Sequence, residues 1–134
     1  MQIPAASTAG IVRLSSRHSV AMTAERLKKL LHEHGVLLFA HIDFAADAAQ
    51  AGLSLHPEQL LIFGNPKAGT PLMQHEPVVG LDLPLKALIW EDASGAVTLA
   101  YNDPRYLALR YGLPAALAQS IAGVATLLRH AAED

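Results

Sequence analysis

The chain has 134 residues, 51% of them hydrophobic and 16% charged, with a formal net charge of −2 and no cysteine. That composition fits one folded domain and argues against disorder. The missing thiols exclude disulfides, thiolate nucleophiles and sulfur-ligated metals, and the lack of any Lys/Arg run argues against a nucleic-acid partner.

In chain order, Met1 to Gly10 reads as a flexible leader. It has neither a charged n-region nor an apolar h-region, so no export signal is visible. The expected location is cytoplasmic as the chain stands, or periplasmic if a signal has been removed. No run reaches the ~18 apolar residues of a membrane span. The nearest, Leu113 to Leu128, is broken by Gln119 and Ser120, so no membrane partner is expected.

Ile11 to Ser15 reads as a strand. Ser19 then offers a helix N-cap, and Leu27, Leu30, Leu31 and His34 form one apolar stripe at helical spacing. Gly35 ends that helix as a left-handed cap. Val36 to Asp43 is a strand whose apolar start predicts cover on both faces for part of its length. A short helix closed by Gly52 follows, then the strand Gln59 to Phe63. After the glycine-containing stretch Gly64 to Gly69, a second short helix is predicted, with Pro71 at its first position. Leu85-to-Asp92 and Ala96-to-Tyr101 form a hairpin turned at Gly95. Asp103-Pro104 caps a helix that ends at Gly112, and Pro114 opens a last helix over about 114–131. In that helix Leu117, Ile121, Val124 and Leu128 make the apolar seam. The expected order is β-α-β-(α)-β-(α)-β-β-α-α. Strands and helices are mixed without regular alternation, so the fold class is α+β, with an antiparallel-rich sheet packed with helices in one domain over residues 11–134.

Several polar groups invite a chemical reading. Gly64-x-x-x-x-Gly69-Thr70 resembles a phosphate loop, but the lysine slot is lost and Pro66 removes an amide donor. A structural turn is the favoured reading. A weak anion or carboxylate site at Asn65, Lys67, Gly69 and Thr70 is the alternative. His41 and Asp43 stand at i and i+2 on one strand face, where they could form an acid–base pair of a hydrolase or isomerase. The plainer reading is a strand end emerging into solvent, with Asp43 capping the next helix. His32 and His34 lie on different helix faces and fit helix C-terminal partners better than a metal site. Tyr101 and Asn102 sit at a strand-to-helix junction and are binding candidates that capping does not explain. Trp90 and Lys86 share a strand face with Leu88, which makes Trp90 core or dimer interface. No cofactor and no metal site is expected. The signatures of serine lipases, zincins and dinucleotide-binding folds are absent.

"FAHIDFAADAAQAGLSLHPEQLLIFGNPKAGTPLMQ", "LDLPLKALIWED" and "AYNDPRYLALRYGL", in that order, resemble the domain-of-unknown-function 302 family from about Ile11 to Leu113. The resemblance implies an α+β fold grouped with TATA-binding-protein-like folds, and a homodimer. It supplies no activity. Relatives close to this pattern carry histidine where this chain has Phe44, and more distant ones carry cysteine where it has Gly64, so neither a histidine nor a thiol role transfers. Three functions remain open. They are a dimeric small-molecule or anion-binding module, an acid–base enzyme using His41 and Asp43, and an interaction scaffold using the last helix.

Overall fold

The computed structural model describes residues 9–134. Five strands form one antiparallel sheet: β1 (Ile11–Ser16), β2 (Leu37–Asp43), β3 (Glu58–Gly64), β4 (Leu85–Glu91) and β5 (Val97–Asn102), in spatial order β1-β5-β4-β3-β2. Six helices accompany them: α1 (Val20–Glu33), α2 (Phe44–Gln50), α3 (Pro66–His75), α4 (Pro104–Tyr111), α5 (Ala115–Ala122) and α6 (Val124–Glu133), with a 3-10 helix at Pro77–Asp82. The α+β class is therefore observed.

Local chemistry explains most boundaries. Ser19 Oγ accepts from Met22 N–H at 3.0 Å and starts α1. Asp43 Oδ1 does the same for α2 through Ala46 N–H at 2.9 Å. Asp103 Oδ1 starts α4 through Arg105 N–H at 2.9 Å, and Gly112 ends it at φ +62°. In the β4–β5 hairpin, Asp92 Oδ1 accepts from the amides of Ser94 and Ala96 and from the Ser94 hydroxyl. Those bonds, the Ser94 hydroxyl first, hold the Asp92 carboxyl below its ordinary pKa.

Alternation decides the core. Strand register puts Leu61, Ala87, Tyr101 and Val12 in one cross-strand row. The neighbouring row carries Ile89, Leu99 and Leu14 on the same face. This face is covered by α1 and α6, where Leu27, Leu31 and Leu128 are buried. Each such side chain contributes about 1.5–3 kcal/mol by leaving water. A second cluster, Leu72, Val79, Leu113 and Ile121, lies among α3, the 3-10 helix, α4 and α5. Leu85 packs against both clusters and joins them. Asp82 ties this second layer together by accepting from Arg110 at 2.9 Å and from the Tyr111 hydroxyl.

The opposite sheet face carries Ile42, Leu60, Ile62, Leu88 and Trp90, all half-buried. Arg13 stacks over Trp90, 5.8 Å from the ring centre.

Four expectations change. The strand from Val36 is not covered on both faces. It is the sheet edge β2, with Leu37 52% and Phe39 51% exposed. A continuous apolar run marks contact surface without saying whether the same chain supplies the contact. The segment from Gly64 to Gly69 is no loop: α3 begins at Pro66, and Pro71 sits inside it. Asn65 and Pro66 form a stronger start than Thr70 and Pro71 because Asn65 supplies a side-chain acceptor as cap. The predicted single helix 114–131 is two helices meeting at Gly123. Ile121 belongs to the second cluster and Leu128 to the first, so one straight helix would not serve both. Finally, Gly10 belongs to the fold, since its carbonyl accepts from Asp103 N–H at 2.7 Å. The rest of the expected leader, residues 1–8, lies outside the described residues.

Candidate functional site

The principal cleft opens where α3 leaves the sheet, and its volume is about 620 Å³. One wall is α3, with Asn65, Ala68, Gly69, Thr70 and Met73. The opposite wall is the α5–α6 junction, with Ser120, Ile121, Gly123, Val124, Thr126 and Leu127. Phe63, Leu83 and Leu85 form the floor, and His34, Val36 and Phe39 close the end nearest β2. The register shift in β2 between Leu38 and Ala40 lies at Phe39, as a bulge does when it re-aims a side chain. Glycine makes part of the space. A Cβ on Gly69 would meet Leu83 Cδ1 at 3.9 Å, and one on Gly123 would meet nothing within 4 Å.

Electrically the cleft is quiet. Among its lining residues none is Lys, Arg, Asp or Glu, and His34 is the one titratable group. His34 Nδ1 lies 2.8 Å from Leu30 O, so the ring also serves the end of α1, the role the sequence assigned to it.

The sequence candidates divide. Asn65, Gly69 and Thr70 do line the cleft, but Lys67 is exposed outside it. The anion reading of this turn loses its donors as well. Lys67 N–H is bonded to Asn65 Oδ1, while Ala68 and Gly69 N–H both reach Asn65 O, each at 2.9 Å. Pro66 has no N–H to give. The first turn of α3 has no amide left over for a phosphate or carboxylate.

His41 and Asp43 do not form a pair. His41 Nε2 is 2.6 Å from Gln59 Oε1, Asp43 caps α2, and both are exposed. A general base needs an orienting partner within a cleft, and His41, held by the neutral Gln59 amide, stands exposed outside it. Tyr101 is a core residue, 8% exposed. Burial first, and the Asp103 charge second, raise its phenol pKa. Asn102 is exposed opposite Ile11 at the end of β5. Neither lines the cleft. Among the described residues no three His, Asp or Glu gather into a possible metal site.

Phe39, Met73, Ser120 and Thr126 were missed. They come from four elements spread along the chain, and each alone reads as an ordinary surface or helix residue. The one available signal is the run Gly123-Val124-Ala125-Thr126, whose glycine marks the break that exposes this wall. A second, smaller hollow of about 370 Å³ lies beside Ser15, Ser19, Glu91 and Thr98. His18 Nε2 is buried there without a hydrogen-bond partner among the described residues.

Three relationships to known proteins follow. Two curated relatives are named fluoride-specific ion channel FluC 1, from Brucella suis biovar 1 (strain 1330), and FluC 2, from Brucella melitensis biotype 1. Each is 46% identical to this chain over 129 residues, 93% of it. Those segments make up 51% and 48% of the two relatives, so the chain spans about half their length. No helix among the described residues is long and apolar enough to cross a membrane. A crystal structure of an uncharacterized conserved DUF302 protein from Bacillus stearothermophilus superposes with a TM-score of 0.76 at 19% identity. It covers 94% of this chain and 98% of that one, which establishes the shared fold. The family model of DUF302, a domain of unknown function, matches residues 12–133. With that match and that fold, the chain belongs to the DUF302 family.

Proposed function

We propose that this domain is a homodimeric small-molecule-binding module whose ligand lies in the cleft between α3 and the α5–α6 junction. The carrying observation is the cleft itself. Its volume of about 620 Å³ falls within the range of small-molecule sites, and its walls are mostly apolar with a few neutral polar groups. The dimer reading is supported by the open sheet face. Ile42, Leu60, Ile62, Leu88 and Trp90 leave a contiguous apolar surface, of the kind that a second copy buries.

Titration with the neutral fluorophore phenylnaphthylamine tests the site. Saturable binding that disappears in Gly69→Phe is expected. Gly69 lies within α3, so a side chain there suits the helix, and its Cβ would stand 3.9 Å from Leu83 Cδ1 on the cleft floor. Binding that is unsaturable, or unaltered in Gly69→Phe, would sink the reading.

A second reading rests on the Brucella relatives. Domains fused in one protein work at short range, and a channel needs membrane-spanning segments. In those relatives such segments would fall in the half that this chain does not match. On this reading the domain is a companion to a membrane channel. Co-expression with the unmatched half of the Brucella suis protein tests it. Failure of the two to co-purify from mild detergent would remove it.

A further inference from the structure

Resting on that reading of the cleft, we infer that its ligand is an uncharged molecule, an apolar body bearing one neutral hydrogen-bonding group of the alcohol, ketone or phenol class.

The body is set by the walls. Phe39, Phe63, Met73, Leu83, Val124 and Leu127 present hydrocarbon, ring faces and a thioether. An apolar ligand gains by leaving water there in proportion to the area it buries.

The charge is set by what the walls lack. A carboxylate, phosphate or ammonium head entering the cleft would shed hydration and meet no fixed counter-charge. Lys67, the nearest cation on α3 in sequence, is exposed outside the cleft. The amides of the first turn of α3, the usual substitute for a cation, are all bonded to Asn65. His34 directs Nδ1 at Leu30 O, a carbonyl that can only accept, so Nδ1 carries a proton, and in the uncharged form of the ring Nε2 is an acceptor.

The single polar group is set by the neutral partners available. Thr70 and Thr126 bring hydroxyls to the cleft. Ser120 spends its proton on Leu117 O at 2.6 Å and keeps lone pairs to accept with. Asn65 spends Oδ1 on its cap and keeps two N–H donors. Donors and acceptors are both present and none is ionic, a set that matches a hydroxyl or carbonyl better than an ion.

The test is displacement of phenylnaphthylamine at about pH 8, above the ordinary imidazole range, by decanol, decanoate and decylamine. Decanol is expected to displace the probe at concentrations at least about ten-fold lower than either ion, which corresponds to about 1.4 kcal/mol. If decanoate or decylammonium displaces it as well as decanol, the inference is overturned while the cleft reading stands. If none of the three displaces it, the inference is likewise overturned, while the cleft reading stands or falls on saturable probe binding that is lost in Gly69→Phe. Thr126→Lys supplies a second arm, because Thr126 is exposed on α6 and tolerates a longer side chain. That variant is expected to improve decanoate relative to decanol by about ten-fold. An unaltered ranking would mean that charge is not what the cleft reads, and would also overturn the inference.

Discussion

Gly10 lies directly against the ring of Tyr106: a Cβ built on Gly10 would come within 2.2 Å of Tyr106 Cγ, and Gly10 holds φ at +76°. Its carbonyl also accepts from Asp103 N–H at 2.7 Å. The entry to β1 is thereby fastened to the start of α4, and only glycine satisfies both the space and the dihedral.

Gly10→Ala should therefore destabilise the domain by about 1–3 kcal/mol, from positive-φ strain plus the clash with the ring. In a Tyr106→Ala background the same substitution should cost less, because only the dihedral strain remains. Urea unfolding of the four variants measures both. Equal costs in the two backgrounds would show that the ring is not the obstacle.

Asn65 and Lys67 have separate roles although the sequence groups them. Asn65→Ala removes the cap of α3 and should cost about 1 kcal/mol of stability. Lys67→Ala should leave both stability and phenylnaphthylamine affinity unchanged, since the side chain is exposed outside the cleft. A marked loss of affinity in Lys67→Ala would put Lys67 in the binding site, against its place outside the cleft.

Asp103 links stability to acid pH. The Arg105 side chain donates to it at 2.9 Å, and that bond is the largest cause holding its carboxyl below the ordinary value, against the opposing effect of burial. A depressed folded pKa means that the unfolded chain takes up the proton first as pH falls. The contribution is complete above the unfolded value of about 4 and is lost as pH drops through the folded one. Asp103→Asn keeps an N-cap acceptor but does not titrate. The stability gap between the two proteins should be constant near neutrality and shrink below about pH 4. A gap that stays level down to the acid transition would show that the ion pair contributes nothing.

Leu88 stands on the central strand β4, opposite Leu60 on one side and Ala100 on the other, on the open face of the sheet. Leu88→Glu should convert the proposed dimer to a monomer in light scattering and leave far-UV circular dichroism unaltered. A wild-type chain that is already monomeric, or a variant that stays dimeric, would place the interface elsewhere or remove it.

Much of the fold was legible because its signals are local. Ser19, Asp43 and Asp103 each cap the helix expected of them, and Gly95 turns the expected hairpin at φ +88°. A cap needs only its own residue and an amide two or three positions on, so nothing distant can overrule it. The linked motifs around Asn65-Pro66 and Asp103-Pro104 likewise identified the family that the comparison of residues 12–133 establishes.

The candidate site was legible only in part, through Asn65, Gly69 and Thr70. Phe39, Ser120 and Thr126 reach the same cleft from β2, α5 and α6, and no spacing in the chain connects them. Their meeting depends on strand order, which places β2 at the sheet edge, and on the break at Gly123, which sends Ile121 and Leu128 into different clusters. His41, Asp43 and Tyr101 show the converse: residue types suited to chemistry were placed by packing at a solvent edge or in the core.

The sequence by itself thus determined most of the elements, their caps and the family, because hydrogen bonds a few residues apart and the alternation of side chains are properties of the chain. Tertiary structure alone decided which apolar run became an edge, which face stayed open and which residues line a cavity. Those outcomes depend on pairing and burial between segments far apart in sequence, whose cost and gain are settled only when the whole sheet closes on its helices.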